Sequence, residues 1–130
     1  MHDFRLPGLV TLGVVVLLFI MAWNVGKARS KYGIAAPATT GNADFERIFR
    51  VQMNTIENAL MFLPALWVCA AFYNEVRASE VGVVWLVARF WYSVSYAKAA
   101  SRRGPAFGLS MLAITVLTLG GTWGILKSIV

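Results

Sequence analysis

Four long apolar blocks, at 6–23, 59–72, 81–96 and 106–125, govern what this chain can fold into. Three of them carry no charged side chain, and the block at 81–96 carries only Arg89. Each is close to, or extendable to, the ~20 residues an α-helix needs to cross ~30 Å of hydrocarbon. Composition agrees. Of 130 residues, 58% are hydrophobic and 14% charged, with mean hydropathy +0.65, where a soluble domain carries roughly 25% charged residues. The first block reads as a retained helix rather than a secretory signal, since Asp3 offsets Arg5 in place of a basic leader and no small-residue cleavage site follows Met21-Ala22-Trp23. The expectation is an all-α integral membrane four-helix bundle, one domain over the whole chain. Its helices should fall at roughly 5–28, 44–73, 78–102 and 105–128.

Net charge is +6, from twelve Lys/Arg and six Asp/Glu. The positive charge sits at the ends of membrane segments, so it reads as topology rather than as a nucleic-acid surface. The connections after helices one and three hold Lys27, Arg29, Lys31, Arg102 and Arg103, with Lys98 nearby; the other side has Arg5, Arg77 and Lys127. The positive-inside rule therefore places loops one and three in the cytoplasm and both termini on the opposite face. Cys69 and His2 are the single cysteine and histidine. An internal disulfide, a Cys-based metal site, His-ligated zinc or haem, and Ser-His-Asp chemistry have no support, and no metal is expected. Pro37 and Gly41 mark the first loop, and Asn42 or Asp44 can cap the helix that follows.

That second helix is the informative one. ALMFLPALWVCAAF, 59–72, is too short to cross a bilayer, so the helix must reach back through FERIFRVQMNTIEN, 45–58. From 44 to 72 it would be ~43 Å long at ~1.5 Å per residue. At ~100° per residue, Arg50, Asn54 and Glu57 form a narrow stripe, Glu46 and Arg47 flank it, Asn58 lies at its edge and Gln52 points to nearly the opposite side. Ionisable groups in a membrane segment normally face a bundle interior or a wet cavity. A plain structural Arg50–Glu57 lock is one reading; a pocket for a ligand bearing both acidic and basic groups is the other. Arg89, Tyr92 and Tyr96 make a second polar stripe on helix three, with Arg103 a further two turns on if the helix reaches it. Alone, these tyrosines read as an interfacial belt; beside the stripe on helix two they gain weight as a site. The Met and Trp residues read as packing and interface, Cys69 as an inert small hydrophobe, and Gly120 with Gly124 as a close helix contact.

The run ATTGNADFERIFRVQMNTIEN, followed by FLPALW and ARFWYSVSYAKAASRRG, resembles the MAPEG family, the membrane-associated proteins of eicosanoid and glutathione metabolism. The pattern Phe-Glu-Arg-x-x-Arg-x-x-x-Asn-x-x-Glu is met by Phe45, Glu46, Arg47, Arg50, Asn54 and Glu57. The Thr-Thr-Gly approach and the Tyr92/Tyr96 pair are most similar to the microsomal glutathione transferase and leukotriene synthase branch. The resemblance implies a homotrimer with glutathione as co-substrate in a cavity between subunits. Arg50, Asn54, Glu57, Tyr92, Tyr96 and Arg103 would line the cavity, and Arg29 and Gln52 would come from the neighbouring chain. It also implies Arg103 as the group that holds the thiol as thiolate.

These residue types suit that ligand. Arginines grip carboxylates through paired hydrogen bonds, Glu57 can take an ammonium, and Asn54 and Gln52 suit amides. A hydrophobic electrophile or a lipid hydroperoxide would reach the sulfur from the membrane lipid. Two departures stand out: Ser30 where the leukotriene synthases have a second arginine, and Asn58 where they have an aromatic residue. They favour a general transferase or peroxidase of bacterial type, in an inner membrane, over a leukotriene synthase. The alternatives are a non-catalytic lipid-binding scaffold of the same family and a small efflux protein using Glu57 as proton carrier. An Arg50 held close to Glu57 would disfavour the efflux reading.

Overall fold

The computed structural model describes residues 2–98 and 104–130, which form four α-helices: α1 Arg5–Tyr32, α2 Ala43–Phe72, α3 Glu75–Lys98 and α4 Gly104–Ile129. No strand occurs among the described residues. By length and composition α1, α2 and α4 can each cross a membrane. The 24-residue α3 is about as long as a span requires but buries Arg89 within it. The protein is an all-α membrane protein.

Helix ends follow local chemistry. α1 runs one turn beyond its expected end, because Arg29 and Lys31 are helical rather than loop residues. Gly33 stops it at φ +68°, a left-handed cap in which its N–H bonds the Arg29 carbonyl. Arg29 and Lys31 thus sit in the last turn, where cations oppose the helix dipole. α2 begins at Asn42, whose side-chain oxygen accepts from the N–H groups of Asp44 and Phe45 at 2.9 and 3.0 Å, a cap worth about 1 kcal/mol. The Asn74 side chain caps α3 through the Arg77 N–H at 2.8 Å, so that helix starts at Glu75, ahead of the expected 78.

α2 and α3 form the centre, each packed against both α1 and α4. α1 contributes one narrow stripe, from Val10 through Val14, Leu17, Met21 and Val25 to Ala28, and leaves its other faces exposed. At mid-bundle the Phe62 and Trp85 rings stack at 4.1 Å. α4 approaches the end of α2 through glycines. A Cβ at Gly121 would lie 2.9 Å from the Val68 side chain, and one at Gly124 would run into the Phe72 carbonyl. This packing aligns the N-terminal half of α2, the C-terminal half of α3 and the N-terminal half of α4 at one end of the bundle.

Candidate functional site

At that end α2 presents two edges and an exposed face between them. Arg50 and Glu57 are exposed, and among the described residues neither has an ion-pair partner. The structural lock between them is therefore not formed, and the case against a proton carrier loses its support from Arg50. Asn54 lies on one edge, half buried, and its side-chain N–H donates to the Tyr92 hydroxyl at 2.7 Å. Gln52, also half buried, occupies the other edge. Nearer the helix start, Arg47 pairs with Asp44, and Glu46 accepts from the Gly41 N–H.

On α3 the tyrosines are not a surface belt. Tyr92 is 1% and Tyr96 8% exposed, with ring centroids 5.6 Å apart. Beneath them Arg89 is fully buried. Its guanidinium donates to Thr55 Oγ1 on α2 at 2.9 Å and to Ser110 Oγ on α4 at 3.2 Å, and lies 4.0 Å from the centre of the Tyr92 ring. The sequence grouped Arg89 with the tyrosines, but its hydroxyl partners sit on two other helices that no single-helix periodicity relates.

Asn58, at the stripe's edge in projection, belongs to the core. It accepts from the Trp85 indole N–H at 2.7 Å and donates to Met111 Sδ at 3.3 Å. Arg29 is turned onto its own first loop, donating to the Ala38 and Ile34 carbonyls at 2.7 and 3.3 Å, with its guanidinium 5.1 Å from the centre of the Phe45 ring. Arg103 lies outside the described residues. The structure thus joins Asn54 to Tyr92 and Tyr92 to Tyr96, leaves Arg50 and Glu57 open beside them, and sets Gln52 and Arg29 apart. A separate open groove of about 1050 Å³ runs among α1, α2 and α3, lined by Met21, Lys27, Lys31, Val51 and Phe90 among others. None of the sequence-derived site residues among the described residues lines it.

The family model described as the MAPEG family matches residues 7–123. The chain belongs to the MAPEG family. It is 43% identical over 120 residues to an uncharacterized protein of Synechocystis sp., covering 92% of this chain and 88% of that one. Microsomal glutathione S-transferase 2 of Homo sapiens is 41% identical over 107 residues, 82% of this chain and 73% of the human protein. Leukotriene C4 synthase of Bos taurus is 37% identical over 117 residues, 90% of this chain and 78% of the bovine protein. MAPEG membership fits the four-helix layout, and the exposed Arg50–Glu57 face with its Asn54–Tyr92 edge is the candidate site of this member.

Proposed function

We propose that this MAPEG protein is a glutathione-dependent membrane transferase. It activates the glutathione thiol for attack on hydrophobic electrophiles and, as a peroxidase, on lipid hydroperoxides. The observation that carries this reading is the polar face of α2. Arg50 and Glu57 stand exposed on a helix long and apolar enough to span a membrane, with no partner among the described residues. Charged groups at membrane depth need a partner, a wet cavity or both. A zwitterionic tripeptide supplies the carboxylates and ammonium that this pair lacks. Relatives named as glutathione S-transferase and leukotriene C4 synthase support the same ligand.

The exposed face of α2 leaves room for a neighbouring subunit. A second copy covering it would bring Gln52 and Arg29 to the ligand, in a homotrimer with cavities between subunits. Arg103 would hold the thiolate: a free thiol with pKa ~8.5 is only a few per cent ionised at neutral pH, and a guanidinium beside it favours the anion. The basic loops would lie in the cytoplasm of a bacterial cell, in its inner membrane.

Purified protein in mild detergent tests this directly. Glutathione should produce thiolate ultraviolet absorbance at neutral pH, and a lipid-soluble aryl halide should be conjugated. Arg103→Ala should keep much of the glutathione affinity but lose the thiolate signal and most of the rate. Absence of glutathione binding in the wild type would refute the reading. Binding without any turnover, with electrophile or with hydroperoxide, would favour the non-catalytic scaffold.

A further inference from the structure

Arg89 is the one arginine of the described residues that is wholly enclosed. It makes no ion pair among them: its partners are two neutral hydroxyls and an aromatic face. Its Nε–H is buried without a hydrogen bond among the described residues. An uncompensated cation in a bundle interior is costly, and ordinary hydrophobic residues of similar volume are often equally or more stable in its place. Fold stability alone is thus a poor reason for an arginine here. The contacts point to a more specific role. The guanidinium clamps α2 through Thr55 and α4 through Ser110, and its charged plane lies against the Tyr92 ring, which is aimed at Asn54 one position before Thr55.

We propose that Arg89 is a positioning residue of the site: it fixes the ring of Tyr92 so that the phenol oxygen accepts from Asn54 and its proton is turned toward the bound ligand. The chemistry of the hydroxyl supports this. A phenol has one proton to donate, and its oxygen is already engaged as an acceptor from the Asn54 N–H at 2.7 Å. The O–H must then donate elsewhere, and an acceptor on the ligand suits it. A cation against the ring face holds the ring by electrostatic attraction to its π-electrons, strongest when the pair is desolvated. Lysine could supply the charge but not the planar fork that spans two helices. The proposal takes its ligand, glutathione, from the function proposed above; its geometry stands without it.

The test is a double-mutant cycle with a readout that needs no ligand. Ultraviolet resonance Raman difference spectra, with and without Tyr92→Phe, isolate the hydrogen-bonding state of the Tyr92 phenol. Arg89→Met should change that signal, and Thr55→Val combined with Ser110→Ala should change it in the same sense while keeping the arginine. With glutathione and electrophile, Arg89→Met should lower kcat about tenfold or more with a smaller effect on KM. In the Tyr92→Phe background the same substitution should have little further effect, because it acts through that hydroxyl. Arg89→Lys should not restore the rate. If Arg89→Met lowers activity equally with and without the Tyr92 hydroxyl, or leaves the Raman signal unchanged, Arg89 merely supports the fold and the proposal is overturned. If Arg89→Met does not accumulate, the Thr55 and Ser110 pair decides the same question. Failure of the wild type to bind glutathione would instead remove the proposed function, with the Raman arm still judging the geometry.

Discussion

Asn54 and Tyr92 are 38 positions apart in sequence, yet the Asn54 side-chain amide donates to the Tyr92 hydroxyl at 2.7 Å, across the interface of α2 and α3. This bond ties the polar stripe of one helix to that of the other. It also gives Tyr92 a fixed acceptor role, so the two residues act as a unit rather than as independent ligand contacts. Asn54→Ala and Tyr92→Phe should each weaken glutathione binding, and the double variant should lose less than the sum of the two. The coupling expected for touching partners is about 0.5–3 kcal/mol. Calorimetric titration of the four proteins gives it; strict additivity would mean that the pair is not shared.

Asn58 offers a stability test separate from the site. Replacing it with Ala leaves the buried Trp85 N–H, now bonded to Asn58 at 2.7 Å, without an acceptor. An orphaned buried donor costs about 1–3 kcal/mol. Thermal unfolding in detergent should show that loss, while glutathione affinity in the surviving folded protein should change little. A large affinity loss with unchanged stability would move Asn58 from the core into the site.

The four-helix plan was legible because apolar length is a property of each segment alone, and so were the Asn42 cap and the loop around Pro37 and Gly41. The helix-two stripe was legible too, since Arg50, Asn54 and Glu57 share one helix. What one-helix periodicity cannot carry is identity of the opposing helix. Asn58 and Asn54 differ by little in projection, yet Asn58 meets Trp85 and Met111 while Asn54 meets Tyr92. Tyr92 and Tyr96 resembled belt residues because their burial comes from neighbouring helices, not from their own spacing. Arg29 and Lys31 resembled a loop because polarity hides a helix that continues to a glycine stop.

The glycines of α4 predict a packing failure. Gly124 faces the Phe72 carbonyl so closely that a methyl group has no room, and backbone cannot move aside as a side-chain tip can. Gly124→Ala should force α4 away from the end of α2 and destabilise the fold by about 1–3 kcal/mol, as overpacking does. Gly108→Ala is the control, since a Cβ there meets nothing within 4 Å. Equal unfolding temperatures for the two variants would show that α4 does not dock this tightly.

Asp3 precedes α1, and Arg5, the first residue of that helix, donates to it at 2.7 Å and holds its carboxyl well below the ordinary 3.8, at about 2. Depression of the folded value means that the attraction is complete above the ordinary carboxylate range and is lost as pH falls through about 2. Arg5→Gln should return the Asp3 titration toward 3.8, measured by carboxyl carbon chemical shifts. The pair lies at the surface, so the shift should leave unfolding temperature at neutral pH nearly unchanged.

The exposed pair on α2 gives the sharpest separation of binding from folding. Because Arg50 and Glu57 have no ion-pair partner among the described residues, removing either one leaves no buried countercharge behind in the isolated chain. Glu57→Gln and Arg50→Gln should therefore alter chain stability within about 0.5 kcal/mol, as surface changes usually do. Each should still weaken glutathione binding, by about 1.5–3 kcal/mol for a lost charged hydrogen bond, or roughly 10- to 150-fold. Arg50→Lys should recover only part of the affinity, since a carboxylate gripped by two parallel bonds loses one of them to an ammonium. Titration calorimetry beside thermal unfolding reads both quantities on the same samples. Unfolding temperatures that drop in step with affinity would mean that the two charges hold the assembly together rather than the ligand, and unchanged affinity with unchanged stability would place the glutathione elsewhere.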